Sequence, residues 1–87
     1  MPRVVFTAHL RELLGSLERT APGRTVGEVL AAALEPAERG YVLDDQGAVR
    51  KHVAIFVDGD LIRDRTGLSD PVPEDGEVHV LQALSGG

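Results

Sequence analysis

The residues best suited to chemistry stand at the very end of the chain, where Leu84-Ser85 is followed by Gly86-Gly87. What matters about the two glycines is the absence of side chains. A diglycine passes in extended form through a channel too narrow for any Cβ. It can therefore carry the α-carboxylate of Gly87 into another protein's active site, with Leu84 anchored in an apolar pocket at the channel mouth. A free α-carboxyl has a pKa of about 3.3 to 3.7 and is an unreactive carboxylate at neutral pH. ATP-dependent adenylation by a partner is the economical way to activate it. The chain has no cysteine, so no thiol can hold zinc, act as a nucleophile or form a thioester. Any group that this protein ferries must then sit on the C-terminal carbonyl. The alternative is a glycine-rich end that does nothing.

The other candidates are weaker. His9, His52 and His79 never approach ligand spacing with one another, and each falls where strand alternation turns it outward, so no metal site is expected. Asp44-Asp45, Asp58, Asp60 and Asp64 suggest paired carboxylates or calcium, but two of these clusters coincide with glycine turns, where aspartate is favoured for local reasons. No phosphate loop and no Ser-His-Asp set is present. The expectation is a protein that is not itself an enzyme and binds no cofactor of its own.

The elements that must position the tail read clearly. Arg3 to His9 alternates, with Val4, Phe6 and Ala8 on one face of a first strand. Leu10 to Gly15 makes a helical turn or tight connection, with Gly15 free to take a positive φ, and a short strand around Leu17 to Thr20 completes a hairpin with a wide loop. Thr25-Val26-Gly27-Glu28 has capping-box spacing, Glu28 reaching back to the cap. Val26, Val29, Leu30, Ala33 and Leu34 then form one helical stripe that Pro36 ends. Tyr41 to Leu43 and Ala48 to Arg50 flank an Asp44-Asp45-Gln46-Gly47 turn as a hairpin-like excursion. His52 to Val57 is a strand, and Asp58-Gly59 is a tight turn into Asp60 to Arg63. Gly67 to Gly76 is a loop with a turn of 3₁₀ near Leu68 to Asp70. Glu77 to Leu81 is the final strand.

One striped helix among four or five strands asks for a mixed sheet folded over it, an α+β arrangement for which the β-grasp fold is the candidate. The expected domain is residues 1–81, with 82–87 a flexible tail. The expected core is Val4, Phe6, Val26, Val29, Leu30, Leu34, Val53, Ile55, Val57, Val78 and Val80. At 87 residues there is room for one modest core and no deep catalytic cleft. Acidic side chains outnumber basic ones 14 to 9 for a formal charge of -5, and no run of Lys and Arg invites nucleic acid. The acidic balance favours a partner with a basic docking face. No segment has the length of a signal h-region or a membrane span, so a cytoplasmic protein without membrane contact is expected.

With these residues in place, the chain resembles the MoaD/ThiS family of ubiquitin-like sulfur carriers. The resemblance runs through Arg11-Glu12-Leu13-Leu14-Gly15, Thr25-Val26-Gly27-Glu28-Val29-Leu30, Asp75-Gly76-Glu77-Val78 and the closing Leu84-Ser85-Gly86-Gly87. It implies a β-grasp fold and a cycle in which an adenylyltransferase of the ubiquitin-activating type, using ATP, joins AMP to Gly87. A sulfur donor enzyme then converts the acyl-adenylate to a thiocarboxylate, and a sulfur-accepting biosynthetic enzyme receives the sulfur. Molybdopterin synthase, thiazole synthase or another sulfur-inserting partner fits that last role. The stretch Gln82-Ala83-Leu84-Ser85 departs from the commonest family tails and leaves the recipient open.

On the final strand Val78 and Val80 are expected to face the helix, with His79 and Leu81 outward and Phe56 sharing their face. Phe56 and Leu81 then form a docking patch beside the tail residues Leu84 and Ser85. The alternative is that Asp60 to Asp75 covers both. Three rivals to a carrier remain: a modifier conjugated to other proteins through Gly87, a subunit that lends its tail permanently to a larger enzyme, and a β-grasp binding module with an idle tail.

Overall fold

A computed structural model describes residues 1–82 of the chain. Ala83, Leu84, Ser85, Gly86 and Gly87, and with them every tail residue singled out above except Gln82, lie outside the described residues. Five strands form one sheet in the order β2-β1-β5-β3-β4: β1 (Arg3–Phe6), β2 (Glu18–Thr20), β3 (Val53–Val57), β4 (Asp60–Leu61) and β5 (Glu77–Gln82). The pairing of β1 with β5 is parallel, and β1–β2, β3–β5 and β3–β4 are antiparallel. Two helices, α1 (Ala8–Leu14) and α2 (Val26–Ala33), and a 3₁₀ turn at Arg39–Tyr41 complete the elements. This is the mixed, helix-covered sheet expected, and it is a β-grasp fold.

Alternation builds the core. Val4 and Phe6 on β1, Val53 and Ile55 on β3, and Val78 and Val80 on β5 point to one face, and Val26, Val29, Leu30 and Ala33 of α2 meet them there. Ten of the eleven expected core residues are buried, and the eleventh, Val57, packs half-buried against them. Each large aliphatic or aromatic side chain removed from water contributes about 1.5 to 3 kcal/mol before chain entropy is subtracted. Leu10 and Leu14 of α1 join the same cluster, as do Val42, Val49, Ile62, Leu68 and Val72 from the connections.

Four local expectations are corrected. The first strand stops at Phe6, not His9, because Thr7 begins a seven-residue helix: Arg11 N–H donates to Thr7 O, and Gly15, at φ 71°, closes α1 with its N–H on Arg11 O. Placing Leu10 and Leu14 in the core stabilises this helix where isolated propensity would not. Thr25 Oγ1 does accept from Glu28 N, but Glu28 Oε1 accepts from Arg24 N, one residue before the cap. Leu68 has φ 55°, incompatible with a 3₁₀ turn. Its N–H donates to Asp64 O, its carbonyl accepts from Gly27 N, and its side chain is buried, contacts that hold a conformation costing about 1–3 kcal/mol. Lastly, Gln82 pairs with Val53 and extends β5 by one residue past the expected end.

The excursion between α2 and β3 is tied by a single bridge, Leu43 with Val49, around a turn in which Asp44 accepts from Gln46 N and Ala48 N. Asp58 and Gly59 take φ 48° and 89°, the pair of positive values that a two-residue hairpin with right-handed strand twist requires.

Candidate functional site

Strand β5 runs through the middle of the sheet and is the element that delivers the tail. On one side it pairs with β1 as far as Phe6 opposite Val80, after which Thr7 N–H donates to Val80 O and the chain turns into α1. On the other side β3 begins at Val53, opposite Gln82. Val78 to Val80 are thus paired on both sides and Leu81 and Gln82 with β3 alone, up to the last described residue, Gln82. Gly86 and Gly87, Leu84 and Ser85 follow outside the described residues.

The face of the sheet opposite the core carries Phe56 and Leu81, the residues expected to dock a partner. Register places Val5, His79, Phe56 and Leu61 in one row across β1, β5, β3 and β4, and Leu81 and Ala54 in the next row toward the tail. Phe56 and Leu81 are thus diagonal neighbours, about 7–8 Å apart along the backbone. Both are half-buried, as are Val5, Ala54 and His79, while Leu61 is 56% exposed. The alternative in which Asp60 to Asp75 covers this patch does not hold. The apolar anchors of that segment, Ile62, Leu68 and Val72, lie in the core, and its backbone bonds reach α2 and Arg24: Val26 N to Asp70 O, Gly27 N to Leu68 O and Val72 N to Arg24 O. Phe56, Leu81 and the outward His79 are where alternation puts them. Val5, Ala54 and Leu61 belong to the same face and were missed, because only strand register shows that they share a row with Phe56, His79 and Leu81.

A polar row borders the patch at the end away from the tail. Arg3 lies opposite Glu77 and pairs with it, and also with Glu18 at 3.4 Å, while His79 Nε2 meets the other oxygen of Glu77. The hydrogen bond from His79, with the nearby Arg3 guanidinium, lowers the pKa of Glu77 from its ordinary value. His52 lies in the turn just before β3 and His79 on β5 opposite Phe56, and no group of three His, Asp or Glu side chains is placed to hold a metal ion among the described residues.

Beneath the sheet the clamp is Arg19. Its guanidinium donates to Leu14 O at the end of α1 and to Ala33 O at the end of α2, holds both oxygens of Glu38 at 2.7 and 3.0 Å, and lies 5.7 Å over the Phe6 ring. One cation thus ties both helix C-termini, where carbonyls lack partners and the helix dipole favours positive charge, to the strand next to β5. Arg19 pulls the Glu38 carboxyl down to about 2. In the loop after β4, Asp64 accepts from Ser69 Oγ and from the amides of Gly67, Ser69 and Thr66, and these bonds bring it to about 2 as well. Both carboxylates are structural and lie away from the outer face.

Comparison with known proteins agrees with this architecture. The model of the ThiS family matches residues 4–87, nearly the whole chain and including the diglycine. No curated protein sequence matches. Among solved structures, small archaeal modifier protein 1 (SAMP1) from Methanosarcina acetivorans is 26% identical with a TM-score of 0.76, over 99% of this chain and 95% of that one. CysO from Mycobacterium tuberculosis, described as an antigen, is 24% identical with a TM-score of 0.80, over 97% of this chain and 100% of that one. A chain of the BexX/CysO complex from Amycolatopsis orientalis is 22% identical with a TM-score of 0.78, over 100% of both.

Proposed function

Because the chain belongs to the ThiS family, we propose that it works as a ubiquitin-like sulfur carrier whose cargo is held at the carboxyl group of Gly87. The observation that supports this most is the union of a family match extending to residue 87 with a strand, β5, whose last described residue, Gln82, stands beside a half-buried apolar row on the outer face of the sheet. In the proposed cycle a carboxylate oxygen of Gly87 attacks the α-phosphorus of ATP in a ubiquitin-activating-type adenylyltransferase, and pyrophosphate leaves. A sulfur nucleophile supplied by a donor enzyme then displaces AMP, and a thiocarboxylate forms. The sulfur passes to a biosynthetic enzyme of cofactor or metabolite synthesis, with molybdopterin and thiamine as the candidate pathways. The protein acts as co-substrate and needs no cofactor of its own, since ATP belongs to the partner.

Gly86 serves as the slender link that enters the partner's channel, and Leu84 and Ser85 contact its mouth. Phe56 and Leu81, with Val5, Ala54 and Leu61, form the surface on which the adenylyltransferase rests: His79 stands among them between Val5 and Phe56, and the Arg3 and Glu77 row bounds them. That the CysO of Amycolatopsis orientalis occurs in a complex with BexX supports a surface that docks a protein partner. Leu81→Asp, which keeps its place on the outer face, is expected to fold and to lose activation. Full adenylation of a folded Leu81→Asp protein would remove this surface from the mechanism.

The deciding experiment is intact mass spectrometry of the protein isolated from its own host under mild, non-acidic conditions. The expected result is a C-terminal peptide in which one oxygen of Gly87 is replaced by sulfur. A free carboxylate that persists after incubation with ATP, a sulfur source and the adenylyltransferase overturns the carrier reading. A second reading, a protein modifier joined to lysines through Gly87, draws on the likeness to the archaeal modifier protein. It shares the chemistry as far as the acyl-adenylate and is recognised by covalent adducts of Gly87 in the host lysate.

A further inference from the structure

The charge of the molecule is divided along the strands. At the end where β5 begins stand Asp58, Asp60, Glu74, Asp75 and Glu77, with Arg3 paired to Glu77; Asp58 N donates to Glu77 O, and Glu77 N donates to the Asp58 carboxylate. At the opposite end, where β5 hands over to the tail, the register of Val53 with Gln82 places the residues before β3 beside the tail root. Those residues are Arg50, Lys51 and His52, all exposed. Arg65 joins them: its guanidinium donates to Arg50 O at 2.7 Å, and its carbonyl accepts from Val49 N. Arg50 is itself oriented by a bond from Nε to Gly40 O.

The ion pairs of the described residues use Arg3, Arg19 and His79, so Arg50, Lys51 and Arg65 enter none among them. Of the carboxylates close to them in sequence, Asp44 and Asp64 are turned to backbone amides. Asp44 accepts from Gln46 and Ala48, and Asp64 from Thr66, Gly67 and Ser69. Asp45, at the tip of the excursion, is exposed.

We propose that Arg50, Lys51 and Arg65 form a cationic strip at the root of the tail that binds an acidic segment of the enzyme that processes Gly87. The inference rests on the reading above that the tail is presented to a partner. It departs from the expectation drawn from net charge: in a chain of charge -5 these three cations are grouped where β5 hands over to the tail, whereas the exposed Arg3, Arg11, Arg24 and Arg63 stand singly on other elements. Complementary charge placed there steers the encounter so that the tail arrives first, an effect on association that salt screens. It also orients the carrier about the apolar face, since the acidic end of the sheet is repelled by the same segment.

The test uses two probes. The first is a ten-residue polyglutamate peptide titrated into the ¹⁵N-labelled full chain at low salt. Because the protein is acidic overall, amide shifts are expected only at residues 50–53 and 65, lost in Lys51→Glu and in about 0.5 M salt and kept in Lys51→Arg. Absence of shifts at these residues, or equal shifts around Arg3, Arg24 and Arg63, overturns the proposal. The second is ATP–pyrophosphate exchange by the adenylyltransferase. Lys51→Glu is expected to raise the KM for the carrier about tenfold at low salt with kcat unchanged, while Asp75→Lys, an equal charge change at the far end, leaves KM within about twofold. Equal effects of the two variants, or none from Lys51→Glu, overturn it. No exchange with the unaltered protein counts against activation of Gly87, and the peptide titration then decides the strip alone.

Discussion

Glu38 offers the sharpest test of how the fold is held, because its charge acts chiefly through one partner, Arg19. Its carboxylate takes two bonds from the Arg19 guanidinium and one from Glu35 N at 2.8 Å, with the two side chains 20% and 22% exposed. Arg19 in turn satisfies Leu14 O and Ala33 O. Hydrogen bonds to charged groups are worth about 1.5–3 kcal/mol each when shielded. Part of the pair reaches water, so about 2 kcal/mol is expected from Glu38→Gln at pH 7. The sign with pH follows from the Glu38 pKa of about 2, lowered from an ordinary 4.5 chiefly by the Arg19 bond. A carboxyl with a depressed folded value contributes its full stability above the unfolded value and loses it as pH falls toward the folded one. The gap between the parent and Glu38→Gln, measured by urea unfolding, is therefore expected to be constant from pH 8 to about pH 5.5. It should then shrink to below about 0.5 kcal/mol near pH 2. Asp64 titrates in the same acid range, but it is present in both proteins and cancels in the difference. A gap that stays the same from pH 7 to pH 2.5 refutes the account. So does a double-mutant cycle of Arg19→Ala with Glu38→Gln whose coupling is below about 0.5 kcal/mol.

Other outcomes follow from the same geometry. Leu30→Ala empties a fully buried position on α2 and is expected to cost about 2–5 kcal/mol in urea unfolding. Gly15→Ala meets no atom within 4 Å yet must adopt φ 71°, so it should cost about 1 kcal/mol by backbone strain alone, and a neutral result would mean that the α1 cap relaxes. Thr25→Ala removes the acceptor for Glu28 N and should cost about 1 kcal/mol. Asp64→Ala frees the amides of Thr66, Gly67 and Ser69, whose hydrogen exchange should quicken about tenfold while α2 stays protected.

Much of the architecture was legible because it depends on neighbours in the chain. The stripe Val26, Val29, Leu30, Ala33 after Thr25 dictates an amphipathic helix, and the alternation of Glu77 to Leu81 and of Val53 to Val57 dictates which side chains are buried. Asp58-Gly59 dictates its turn. The same alternation put Phe56, His79 and Leu81 outward, since a strand turns successive residues to opposite faces whatever its partners are. The reading of the Gly87 carboxyl as the place for cargo also came from the sequence, through Gly86-Gly87 in a chain without cysteine, and it is the proposal that mass spectrometry tests.

Other features depended on contacts distant in sequence. Arg3 to His9 alternates well enough for a longer strand, but Leu10 and Leu14 gain more by entering the core from a helix, and burial overrides local preference. Leu68 takes a positive φ because Gly27, forty-one positions away, offers its N–H to the Leu68 carbonyl. Arg19 read as a polar residue of a short strand, and no spacing shows that both helix ends and Glu38 converge on it. That Val5, Ala54 and Leu61 join Phe56 and Leu81, and that Lys51 stands beside the root of the tail, was decided by register between strands. Local sequence sets which face a side chain takes, but only the paired sheet sets which side chains share a row.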